Sequence, residues 1–134
     1  METEQILSLI GYLLVSCAAV ADAIMDKLQF HYDKSIFLDK SVNQLFWDPR
    51  ESWKNKWKED LKTERFLGSS TIFVFTTDAW HLFKFLKNTF LFIGLPLITF
   101  SDYIIVFEIV MARIIYGIVF TIYFDRILAK SSPN

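Results

Sequence analysis

Five residues have types and spacing that could do chemistry. Asp22 and Asp26 stand four apart and share one face if helical; His31 follows five residues later. Asp78 and His81 stand three apart, again one face of a helix. Two carboxylates on one helix, with a carboxylate and an imidazole on another, are the kind of ligand set that helical bundles use to hold metal ions. The carboxylates would supply charge and hard oxygens. The imidazoles would favour a divalent transition metal such as zinc, manganese or iron over calcium. The spacing therefore predicts that Asp22, Asp26, His31, Asp78 and His81 converge at one end of a bundle. There they would form a metal site acting on a lipid or another membrane-associated substrate. The alternative is a non-enzymatic membrane assembly, whether channel-like, scaffold or lipid-binding. In it the same residues are a polar cluster joining helix ends, or are solvated or paired with Lys27, Lys84 or Lys87. The chain has only two histidines, so a histidine-rich site is excluded. The pattern is less diagnostic than HExxH or paired CxxC.

A second polar set lies inside the longest apolar run, where Glu108 and Arg113 stand alone. Five residues turn a helix by about 500°, leaving the two side chains roughly 140° apart and unable to pair readily. Their partners are then expected on other helices or other subunits, with Asp22 the nearest counter-ion for Arg113. Such a pair makes either a polar cavity or ion path, or a buried structural contact.

Other constellations are weaker. Ser35 and Ser52 read as ordinary loop serines, no GxSxG elbow exists, and Gly11, Gly68, Gly94 and Gly117 form no phosphate-cradling loop. The single cysteine, Cys17, lies deep in an apolar run, so no internal disulfide is possible. The stretches 31–35, 46–49 and 77–81 are distinctive but carry no known activity.

The elements that must position these residues are membrane helices. The chain of 134 residues is 53% hydrophobic and 17% aromatic, more than one soluble core of this length needs. Runs of about 20 apolar residues have the length that crosses a hydrocarbon layer. Three spans are predicted, at about 6–28, 80–100 and 103–125, with an interfacial connecting region at 29–79. The start of the chain is acidic rather than basic, so the first run reads as a retained helix and not as a signal peptide, despite the lipoprotein-like Leu14-Val15-Ser16-Cys17. Phe66 to Thr77 reads as interfacial or partly re-entrant; if Phe66 to Lys84 crosses by itself, there are four spans. The fold class is thus all-α, one integral membrane helical bundle over residues 1–134.

Charge is concentrated in the connection, where Lys27, Lys34, Lys40, Arg50, Lys54, Lys56, Lys58, Lys62 and Arg65 lie. By the positive-inside rule that connection is cytoplasmic, with the amino terminus outside and the carboxyl terminus, with Arg126 and Lys130, inside. Within it, Asp48-Pro49-Arg50-Glu51 reads as a helix start. Trp53, Trp57 and Leu61 would then form a stripe beside basic Arg50, Lys54, Lys58 and Lys62. Such a helix suits the headgroup layer, with anionic lipid as partner. Acids interspersed along this stretch leave no broad positive face, which excludes nucleic acid. Three spans make a thin bundle, and the surface around Arg113 and Gly117 is a candidate homo-oligomer contact.

Overall fold

The computed structural model describes residues 3–40, 43–99 and 105–129, without the side chains of residues 39 and 40. Helix α1 runs over Thr3–Phe30, α2 over Ile36–Lys40, α3 over Gln44–Trp47, α4 over Ala79–Ile98 and α5 over Ile105–Ile122. A π-helical turn at Tyr123–Ile127 extends α5, closed by the Leu128 N–H on the Tyr123 carbonyl at 2.9 Å. Among the described residues there are no strands, only two isolated antiparallel bridges, Ser35 with Ala129 and Trp57 with Glu64.

Three helices are long and apolar enough to cross a membrane: Thr3–Phe30, Ala79–Ile98 and Ile105–Ile127. They match the three predicted spans. The ends of the second and third that face each other along the chain, at Phe100 and Tyr103, lie outside the described residues, as does Lys130. Phe66 to Thr77 makes turns and a single 3-10 turn at Val74–Thr76, so no fourth span forms there.

Helix α1 is proline-free, has Glu4 in its first turn and Lys27 in its last, and so suits the helix dipole at both ends. It is also the central helix. Both α4 and α5 pack along it, while α4 and α5 scarcely touch each other. The face that α1 buries is rich in small residues, Gly11, Ala18, Ala19, Ala21 and Ala23, which lets neighbouring backbones come close. The tightest approach is where Gly11 meets Gly94 of α4. A Cβ on Gly11 would lie 2.8 Å from the Gly94 carbonyl oxygen, and one on Gly94 3.1 Å from the Gly11 carbonyl oxygen. Pro96 falls near the end of α4, where Thr99 terminates the helix by bonding back to Leu95. Between α4 and α5, with Val15 of α1 also in its lining, lies an apolar cleft of about 350 Å³ walled by Leu91, Leu95, Ile109 and Tyr116.

The direction of the chain follows from these contacts. Ile98 packs near Val15 at one end, and Ala79 packs near Leu28 and Tyr32 at the other, so α4 runs antiparallel to α1. Ala112 lies by Val15 and Phe124 by Lys27, so α5 runs parallel to α1. The connecting region and the carboxyl end of α5 therefore share one end of the bundle. The Ile36 N–H donates to the Leu128 carbonyl there, at 3.2 Å.

The predicted helix from Asp48 to Lys62 is not formed. The chain instead turns at 48–51, makes a 3-10 turn at Ser52–Lys56, and folds back on itself so that Trp57 bridges Glu64 and Arg65 N–H donates to the Lys56 carbonyl. Leu61 has φ +54°, a left-handed conformation that a right-handed helix does not contain. The cause is local competition, because short polar side chains offer the backbone other partners than a helix does. Asp48 accepts from the Arg50 N–H, and Asp60 accepts from the N–H groups of Lys62 and Thr63. Glu51 does not reach back as a capping box requires, but pairs with Lys54.

Candidate functional site

Helix α4 begins at a cap that also builds a dyad. Asp78 is extended, φ −151° and ψ 158°, and its carboxylate accepts the His81 backbone N–H at 2.9 Å. This satisfies one of the free donors of the first turn. The same carboxylate meets the His81 ring, with Nδ1 2.7 Å from Oδ2 and 2.9 Å from Oδ1. Asp78 is only 2% exposed. A carboxylate accepts, so it holds the ring through Nδ1–H and fixes its orientation; in the neutral form of the ring Nε2 is then the acceptor, an arrangement that general acid–base catalysis can use.

His81 and Asp78 line a groove of about 250 Å³ together with Gln29, Pro49, Ser52, Trp53 and Trp80. Three separate parts of the chain meet in it. The Trp80 indole N–H donates to Gln29 Oε1 at the end of α1, at 3.1 Å. The Asn55 side-chain amide donates to the Thr77 carbonyl, tying the 3-10 turn to the residue before the cap. Beneath lies an aromatic cluster in which Phe37 stacks on Trp47 at 4.9 Å and Trp47 reaches Phe83 of α4. The distinctive stretches 46–49 and 77–81 thus build one place. Ser52, read from sequence as an ordinary loop serine, is buried in its wall.

The other predicted ligands lie elsewhere. Asp22 accepts from Lys87 Nζ of α4 at 2.8 Å and from the Tyr116 hydroxyl of α5 at 2.5 Å, so a single carboxylate joins all three long helices. Asp26 lies in the electrostatic range of Asp22, Lys87 and His31. His31, just past the end of α1, is exposed and sets its ring edge-on to Phe124 at 5.4 Å. The predicted convergence of Asp22, Asp26, His31, Asp78 and His81 is therefore corrected. Among the described residues no three His, Cys, Asp or Glu side chains are placed to hold a metal ion together. The physical reason is that nearer partners take the carboxylates: Lys87 and Tyr116 take Asp22, and the helix cap takes Asp78.

Arg113 is corrected too. It does not reach Asp22; it is exposed, and its guanidinium lies over the Tyr116 ring at 5.8 Å. No carboxylate among the described residues pairs with it. Glu108 keeps one buried carboxylate oxygen, Oε2, without a hydrogen-bond partner among the described residues. Sequence reasoning missed Tyr116, although it stands three residues from Arg113 and on the same face.

The proposed interface residues Arg50, Trp53, Lys54, Trp57 and Lys58 are spread over turns rather than aligned on stripes. Arg50 grips Asp48 with two guanidinium nitrogens, at 3.0 and 2.9 Å, reaches Asp33 at 3.3 Å and lies over the Tyr32 ring. The Arg50 hydrogen bonds hold the Asp48 carboxyl below the usual carboxylate range. Trp53 is exposed and donates to the Arg50 carbonyl at 3.1 Å, with Lys54 over its ring. Trp57 and Lys58 belong to the folded-back segment, Trp57 in the isolated bridge to Glu64 and the Lys58 N–H donating to the Thr63 carbonyl.

No protein-family model matches the chain, and no curated protein or solved structure shows significant similarity to it.

Proposed function

We propose that this chain is a small integral membrane protein whose working site is the Asp78–His81 groove, placed at the membrane boundary to act by acid–base chemistry on a lipid headgroup or another membrane-associated substrate. The observation that carries this reading is the 2.7 Å contact between a buried carboxylate and His81 Nδ1 in a groove walled by two tryptophans. Indoles favour the depth where headgroups meet acyl chains. The nine Lys and Arg residues of the connection support a cytoplasmic placement for this end, with the amino terminus outside. Anionic headgroups suit that charge.

The test is the lipid profile of cells producing the full chain, measured by mass spectrometry. A species that depends on the parent protein should be lost in His81→Asn and in Asp78→Asn, and kept in His31→Asn. A profile that does not respond to His81→Asn overturns the reading. Elemental analysis of the same purified proteins bears on zinc: a stoichiometric metal lost in His81→Asn would restore a metal role for this dyad.

A second reading, a non-enzymatic assembly, is favoured by a separate observation. Asp22, Lys87 and Tyr116 act as a clasp between helices, a structural role for residues first considered as ligands. Under that reading His81→Asn alters stability alone, and the homo-oligomer is sought by cross-linking in bilayers.

A further inference from the structure

The segment from Phe66 to Phe75 displays apolar side chains outward from a backbone that is firmly built. Leu67 is 91% exposed and Ile72 76%, with Phe66 and Phe73 also open. In a floppy loop this would mean little, but here the polar groups are used inward. The Glu64 carboxylate accepts from the Gly68 N–H at 3.0 Å, from the Ser70 N–H at 3.1 Å and from the Ser70 hydroxyl. Ser69 is fully buried and donates to the Lys56 carbonyl at 2.7 Å. Gly68, with φ +80°, makes the turn that an L-residue resists. Leu67 and Ile72 are thereby held facing away from the protein.

The loop also runs back along a membrane span. Val74–Thr76 packs on α4, and Phe75 stacks on Phe85 at 4.4 Å between ring centres, 17° from parallel. Phe85 stands six residues into α4, about 9 Å along the helix from its start at Ala79. The exposed tip is continuous with the outer apolar face of α4, on which Phe85 and Phe92 are exposed. Beside the tip the folded-back segment carries Lys56, Lys58, Lys62 and Arg65 interspersed with Glu59, Asp60 and Glu64, so its charge is nearly balanced. A built apolar tip continuous with the outer face of a membrane-length helix, flanked by a polar segment of mixed charge, is the pattern of a segment seated in one leaflet.

We infer that Phe66–Phe75 is a preformed wedge that inserts Leu67, Ile72 and Phe73 among the acyl chains of the leaflet beside α4. The inference rests on the long helices crossing a bilayer and is independent of the Asp78–His81 reading. Burying these side chains in hydrocarbon removes exposed apolar surface that water would otherwise cover. The wedge would fix the depth of the connecting region, and with it the depth of the groove, through the Asn55 link to Thr77.

The test uses the full chain, with Cys17→Ala, in vesicles of phosphatidylcholine and phosphatidylglycerol. Nitroxide labels are placed through Leu67→Cys, Ile72→Cys, Glu59→Cys and Phe92→Cys, one at a time, and their collision with dissolved oxygen and with a water-soluble nickel chelate is measured. Oxygen should dominate at 67, 72 and 92, and nickel at 59. Nickel dominance at 67 and 72, with 92 still lipid-facing, overturns the wedge while leaving the spans intact. Exclusion of both reagents from 67 and 72 also overturns it, since protein then covers the tip. Nickel access at 92 removes the membrane placement and the wedge with it. All four sites are exposed, so the labels need not disturb packing.

Discussion

The carboxylate of Asp22 and the ammonium of Lys87 lie 2.8 Å apart although they are 65 residues apart in sequence, and Tyr116 from the third long helix donates to the other oxygen of the same carboxylate. Each side chain of the ion pair is about a quarter exposed, at 25% and 23%, so the contact is neither a surface pair nor a fully buried one. Its energetic weight should fall between those limits.

Asp22→Asn is therefore expected to destabilise the helix packing by about 1–3 kcal/mol, less than the loss from breaking a fully buried pair. Lys87→Met should cost a comparable amount, and the double variant less than the sum, because the two residues share one interaction. Arg113→Leu should cost well under either single change, since Asp22 is held without it. Unfolding of the purified protein in mixed micelles with increasing denaturing detergent measures all four. A loss in Arg113→Leu as large as that in Asp22→Asn would show that Arg113 is the true counter-ion.

The folded-back segment should respond to acid. Bonds from the Thr63 hydroxyl and N–H, with the Lys62 N–H, bring the Asp60 carboxyl down to about 2. Bonds from the Ser70 hydroxyl and the Gly68 and Ser70 N–H groups hold Glu64 below its ordinary value. Both carboxylates thus have folded values below their unfolded ones near 4. Their stabilising contribution is fully present above the unfolded values and is lost as pH falls through the folded ones, which for Asp60 is about 2. Pepsin should cut between residues 57 and 70 much faster at pH 2 than at pH 4, relative to an unstructured peptide control. At neutral pH, Asp60→Asn should speed tryptic cleavage at Lys62.

The long helices were legible because length and apolar content set them directly, whereas the Asp78 cap that starts α4 was not read from the sequence. That the connecting region and the end of α5 share one end of the bundle was legible too, since three spans place them together, and the Ile36 N–H donates to the Leu128 carbonyl there. The metal quintet was misread because sequence spacing reports which residues share a face, not which opposing cation or hydroxyl is closer. Lys87 is apparent as a charge in α4, but its meeting with Asp22 depends on the antiparallel register set at Gly11 and Gly94. The amphipathic helix failed for a different reason. Trp53, Trp57 and Leu61 do recur every four residues, but the period was outweighed by the turn chemistry of Asp48, Asp60 and Glu64, each bonded to backbone nearby.

That register supplies the last prediction. A Cβ added at Gly11 would lie 2.6 Å from Ile98 Cγ1 and 2.8 Å from the Gly94 carbonyl oxygen. The isoleucine can rotate, but the carbonyl belongs to helix backbone and can only move with α4. Gly11→Ala should therefore push the helices apart and cost about 1–3 kcal/mol, as other overpacking changes do. Gly94→Ala should act in the same direction, against the Leu14 Cβ at 3.0 Å and the Gly11 carbonyl at 3.1 Å. Gly117→Ala is the control, since nothing lies within 4 Å of its added carbon. It should be neutral, or stabilise by up to about 1 kcal/mol through reduced backbone freedom. Denaturing-detergent unfolding ranks the three. Equal behaviour of Gly11→Ala and Gly117→Ala would mean that α1 and α4 do not cross at Gly11.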